Sequence, residues 1–132
     1  TDAEKSAMGL VEVTISGNQK NNEYYTNNLS DNKVESDGSV TRTWSSNAKT
    51  LSDVQTIKIV QAKETANSML SPTDWYVIRK ADDGTAIPSA VQTYRDGVRT
   101  KATAHETTVS ATTNVTDLIA VNIDDGWPTE PS

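Results

Sequence analysis

The chain has no cysteine and no phenylalanine. The first absence excludes disulfides, thiolate zinc sites and cysteine nucleophiles. The second leaves three tryptophans and four tyrosines as the whole aromatic stock. Large aliphatic side chains are scarce as well. Five leucines, seven isoleucines and twelve valines make up about 18% of the 132 residues, under the ~20% at which a charged chain approaches disorder. The expected core is therefore modest, leaning on a partner or on oligomerisation. Positive charge is short too: 12 Lys and Arg face 18 Asp and Glu, for a net −6, which argues against a nucleic-acid partner and favours solubility at high copy number. No apolar run approaches the 18 residues of a membrane span. The start, TDAEKSAMGL, lacks the basic and apolar regions of a signal peptide, so the Asn28-Leu29-Ser30 and Asn114-Val115-Thr116 sequons read as chance.

What is present is patterned. Residues 1–9 are small and charged and are expected to form a flexible or partner-ordered arm. Val11, Val13 and Ile15 alternate with Glu12 and Thr14, the period of a half-buried strand. Residues 17–32 hold six asparagines and read as a long loop anchored by Tyr24 and Tyr25. Asp37-Gly38 predicts a hairpin pairing Val34 with Val40 or Thr41, with Val40, Arg42 and Trp44 on one face of the outgoing strand. A helix is expected over 51–70, opened by a Ser52/Gln55 capping box, with Ile59, Ala62, Ala66, Met69 and Leu70 on one face and Pro72 as its stop. Trp75 to Ile78 are expected as a short strand bracing the core. Pro88 fits the first turn of a second helix carrying Ile87, Val91, Tyr94, Val98, Ala102 and Val109, and Asn114 caps a short third one. The tail, with two prolines, is expected to be extended. The fold class is α+β: an N-terminal strand and hairpin, two main helices flanking a short strand, a short third helix and an extended tail. The expected division is an arm, strand and loop over 1–33 and a small α+β domain over 34–132.

Candidate chemistry is sparse. His105 is the only histidine, and without a serine or cysteine at a recognisable elbow it makes no triad. It is expected at the surface or boundary, and a small hydrolase built on it is the reading of another class. Asp82-Asp83 and Asp124-Asp125 each precede a glycine but lack the alternating acids of a calcium loop, so they are read as turns. No cofactor or metal is expected. Trp, Tyr and Arg concentrate binding energy at interfaces. The candidate partner-binding residues are accordingly Trp44, Trp75, Tyr76, Tyr94, Arg95, Arg99 and Trp127, although Trp75 also reads as core and Arg95 and Arg99 as a solvated face.

The order DGSVTRTW, then AKETANSMLSPTDWYVIRKADDGTAIPSAVQTYRDGVR, then GWPTEP resembles a class of small tailed-phage tail-fibre assembly and tail-associated proteins. The resemblance covers about residues 34–131 and departs at 1–33. It implies a non-enzymatic role by protein–protein contact, as an assembly factor or a structural subunit of the virion. The location would be the tail, or the host cytoplasm during assembly. The implied partner is a tail-fibre or other tail protein, with a homo-oligomer as a further possibility. A head-decoration or neck protein is the alternative within that biology.

Overall fold

The computed structural model describes residues 1, 4 and 8–131, and most of the expected arm lies outside them. Helices and a mixed sheet make the fold α+β. The chain divides into two units, Thr1–Lys49 and Thr50–Ser132, so the boundary falls after the hairpin rather than at 33/34.

In the first unit the strands are β1 (Val13–Ser16), β2 (Tyr25–Leu29), β3 (Lys33–Val34) and β4 (Val40–Ala48). Strand β4 is the shared partner. It pairs parallel with β1 through Val13↔Val40 to Ser16↔Thr43, and antiparallel with β3 and β2. Val34 faces Val40, as the hairpin reading expected. Gly38 (φ +83°) takes the left-handed position of the turn, and Asp37 Oδ1 accepts from Ser39 N and Oγ. Beyond the turn the register shifts. Leu29 pairs with Trp44 but Lys33 with Thr41, so Ser30, Asp31 and Asn32 oppose only Arg42 and Thr43. That is a one-residue bulge. Ser30 holds it: its N donates to Thr43 O, its Oγ accepts from Thr43 N, and its carbonyl accepts from Arg42 Nε.

The Asn-rich stretch is thus not one long loop, because β2 lies inside it. Asn27 explains how so polar a segment is ordered. Its side-chain amide accepts from Lys20 N and donates to Lys20 O, imitating a strand residue, and Ser46 Oγ donates to its Oδ1. Tyr24 is the only buried apolar side chain among the described residues of this unit.

The second unit contains α1 (Leu51–Leu70), a 3-10 turn (Ser71–Thr73), α2 (Asp74–Asp83), α3 (Ser89–Ser110) and α4 (Val115–Ala120). Helix α1 begins after Thr50, and no capping box forms. Its inward row is Val54, Lys58, Ala62 and Ala66, an i, i+4 series that turns Ile59 partly aside. Helix α3 runs antiparallel to it and buries Val91, Tyr94, Arg95, Val98, His105 and Val109. The alanines of α1 let the helices approach, and Tyr94 and Val98 pack on Ala66, with Met69, Leu70, Ala102 and Trp127 around them. Pro88 stands at the N-cap with extended backbone, one residue before its expected place. Asn114 caps α4 as expected, accepting from Asp117 N at 2.9 Å. The tail carries no regular structure, and Pro128 lies 3.4 Å from where a Cβ on Gly97 would stand.

Polar side chains from neighbouring helices finish the helix ends. A helix leaves its last four carbonyls unpaired. At the end of α1, Tyr94 Oη donates to Met69 O at 3.0 Å and Arg95 to Leu70 O at 3.0 Å. Gln55 Nε2 donates to Val109 O and Thr112 O at the end of α3. Lys58 Nζ donates to Leu118 O at 2.7 Å and also to Val121 O at the end of α4, where an ammonium suits the negative end of the helix dipole.

Candidate functional site: the α2 surface

The run expected as a strand is the first half of helix α2. Two local signals explain this. Asp74 supplies an acid in the first turn, and Gly84 (φ +78°) closes the helix in the left-handed conformation, its N donating to Lys80 O. Helical backbone distributes Trp75 to Ile78 around the axis rather than onto two faces. No α2 residue is buried, and Trp75, Val77 and Ile78 are 49%, 40% and 68% exposed. The run does not brace the core, and Trp75 is not a core residue.

Instead the aromatic residues form a platform. The Trp75 and Tyr76 rings stack with centroids 3.8 Å apart. Arg79 lies over both, its guanidinium carbon 4.8 Å from the Trp75 centroid and 5.4 Å from that of Tyr76. This arrangement holds two large apolar rings and a cation at the surface in a fixed relation.

Arg95 fixes the platform's base. It is 5% exposed, not on a solvated face. Besides Leu70 O it donates to Thr73 Oγ1 at 2.6 Å, and its other terminal nitrogen meets Asp74 Oδ1 at 2.9 Å. One side chain thereby ties the last turn of α1 to the first turn of α2. Of the seven candidate contact residues, Trp75 and Tyr76 share this surface. Tyr94 and Arg95 are each only 5% exposed and are held by bonds to the end of α1, so neither belongs to the α2 surface. Arg99 is exposed and paired with Asp96 at 3.2 Å. Trp127 is half-buried against the core, its Nε1 donating to Ile123 O at 2.9 Å, and Trp44 is half-buried on β4. The sequence also offers the run 75–78 as an anchor, with Arg79 or Lys80 at the end of its outer face, but not the stacking of Arg79 on both rings. The i, i+3 and i, i+4 spacing of Tyr76 and Trp75 to Arg79 was the available signal.

His105 is buried, contrary to expectation. Its ring lies 5.2 Å from that of Trp127, and Nε2 has no hydrogen-bond partner. Burial first, then the Lys101 charge, push the imidazole below its ordinary pKa, against the pull of the Asp125 backbone and the Asp124 and Asp125 carboxylates. A base so placed reaches no substrate while the tail is seated. The two Asp-Asp-Gly segments differ: Asp82 and Asp83 are the last residues of α2, closed by Gly84 rather than forming a separate turn, with Asp83 Oδ1 accepting from Thr85 N, whereas Asp124-Asp125-Gly126 is a bend with Asp125 Oδ1 accepting from Gly126 N. Among the described residues no group of three or more His, Cys, Asp or Glu could hold a metal, and no helix is long and apolar enough to cross a membrane. An open groove of about 510 Å³ runs between the start of α3 and the tail, lined by Tyr94, Gly97, Pro128 and Pro131 among others.

No family model, curated protein or solved structure matches this chain.

Proposed function

We propose that this chain is a non-enzymatic structural or assembly subunit of a tailed-phage particle, associated with the tail or tail fibre and acting by protein–protein contact through α2. One observation carries the contact reading: a ten-residue helix, pinned at its base by Arg95, buries none of its own residues and displays Trp75, Val77 and Ile78. Fixed aromatic and aliphatic side chains beside an Arg are the composition that concentrates binding energy at interfaces. The particle reading is supported by the resemblance over residues 34–131. The mechanism is helix-in-groove docking, with Trp75 and Ile78 as anchors one turn apart. Affinity-tagged chain expressed during infection should retain a tail component, and purified particles should contain the chain by mass spectrometry. Trp75→Ala with Ile78→Ser should weaken that retention at least tenfold while leaving helix content unchanged. Retention unaffected by the double change would remove α2 as the contact. Particles without the chain, and a lysate without a captured tail protein, would remove the particle reading.

A further inference from the structure

The last residues of the helical unit are laid along α3 and held there by side-chain packing. Residues 122–131 form no helix or strand, and among the described residues the hydrogen bonds that order them close within the segment. Trp127 Nε1 donates to Ile123 O, Asp124 N to Asn122 Oδ1 and Gly126 N to Asp125 Oδ1. Three side chains seat the segment. Ile123 is buried, Trp127 packs on the Ala66, Tyr94 and Val98 cluster, and Pro128 lies against Gly97. Between these anchors the segment crosses His105. That ring lies 5.2 Å from Trp127 and beside the Asp125 backbone, while its Nε2 is enclosed without a hydrogen-bond partner. Lys101, one turn earlier on α3, reaches the same crossing, since a Cβ on Gly126 would meet its Nζ.

We propose that residues 122–131 are an acid-released strap, seated on α3 while His105 is neutral and lifted when Nε2 takes a proton. A neutral ring leaves Nε2 a bare acceptor, and an enclosed acceptor costs far less than an enclosed, unpaired charge. Protonation would place a positive N–H where the seated strap offers no acceptor. The surrounding charges do not offset this. Lys101 on α3 repels the charged ring, and the Asp124 and Asp125 carboxylates that attract it are on exposed residues of the strap itself. On α1, Lys58 is bound to the Leu118 and Val121 carbonyls, and Lys63 is paired with Glu106 of α3 at 3.3 Å. On α4, Asp117 is held by Asn114. Helix α3 is fixed on either side of His105 by the fully buried Val98 and Val109, so the weakly bonded strap yields first. With the strap lifted, the ring returns to its ordinary value of about 6.5, and release is favoured as pH falls below it, by up to about tenfold per unit until the seated ring also titrates. Release takes Trp127 off its cluster and opens that apolar surface in acid. The device stands whether or not the chain belongs to a phage particle.

The test uses the full chain with Trp44→Phe and Trp75→Phe, which leaves Trp127 as the sole tryptophan. Acrylamide quenching of its fluorescence should rise at least about twofold between pH 7.5 and 5, with the far-UV helix signal unchanged. His105→Gln in that background should abolish the rise. Two charge changes should move its midpoint in opposite senses, Lys101→Gln to higher pH and Asp124→Asn to lower. A second measurement covers failure of the tryptophan variants to fold. Amide exchange in the unaltered chain, corrected for intrinsic rates, should show residues 122–127 losing protection in acid while the middles of α1 and α3 keep theirs. Quenching and exchange that ignore pH would overturn the proposal. So would a response that survives His105→Gln, midpoints that move in the same sense, or strap and helix middles that open together.

Discussion

The helical unit and the sheet unit meet the same shortage of large apolar residues differently. In the helical unit nearly every Val, Leu or Tyr on the α1–α3 seam is buried, and Lys58, Arg95 and Gln55 are drawn inward to finish helix ends. In the sheet unit the Val and Ile residues stay at the surface, and order comes from Asn27, Ser30 and Asp37 bonding to backbone. The lesson is that polar bonding can define a strand register without supplying a core. A unit ordered in that way keeps its apolar face free for another surface.

The sharpest way to break the contrast is at its most buried point. Leu118 is fully buried, so Leu118→Ala should lower the unfolding free energy of the helical unit by about 3 kcal/mol in a urea titration. Equal loss of β-sheet signal at the same midpoint would show that the two units unfold as one. Arg95→Met follows, at about 2 kcal/mol, mostly from lost donors to Leu70 O and Thr73 Oγ1, because Asp74 is more than half exposed and its ionic contribution is screened. Stability of that variant should also become less sensitive to salt.

Between neutrality and about pH 5 the titration of His105 should act on the helical unit, above the range in which the lowered carboxyls of Glu35 and Asp37 in the sheet unit take up protons. The folded His105 pKa lies below its unfolded value of about 6.5, so its contribution is complete above that pH. As pH falls from 6.5 through the lowered folded pKa, the unfolded chain takes up the proton first and stability declines. Thermal melts followed between pH 7.5 and 5 should show this slope, and His105→Gln should flatten it. The smallest effect belongs to the sheet. Val34→Thr should change stability by less than about 0.5 kcal/mol in dilute solution, because the side chain is 68% exposed. A loss of several times that would mean its face is already covered within one chain.

Features written in local chemistry were legible in the sequence. The Asp37-Gly38 turn, the Pro72 stop and the Asn114 cap each act within a few residues. Features settled by distant partners were not. Strand β2 carries no apolar alternation, and only its pairing with β4 makes it a strand. Lys58 faces inward because the end of α4 offers carbonyls sixty residues away in sequence, which no helical periodicity reveals. The α2 run misled for a different reason. Four consecutive apolar residues suit a strand, but the acid at Asp74 and the left-handed Gly84 frame a helix, and those two signals deserved more weight than the run. Of the contact surface, Trp75 and Tyr76 were readable as aromatic, while the guanidinium over them required the helical backbone to be known.

The exchange of side chains among helix ends has a kinetic consequence. Helices ordinarily fray from their termini, so the last turns lose their amide protons to solvent through small local openings. Here opening the end of α1 also strands Tyr94 and Arg95, opening the end of α3 strands Gln55, and opening the end of α4 strands Lys58. Each local opening therefore disturbs a second helix. Amide protons in the last turns of α1 and α3 should exchange at rates close to those of their middles, and the helical unit should release deuterium as a block rather than from its tips inward.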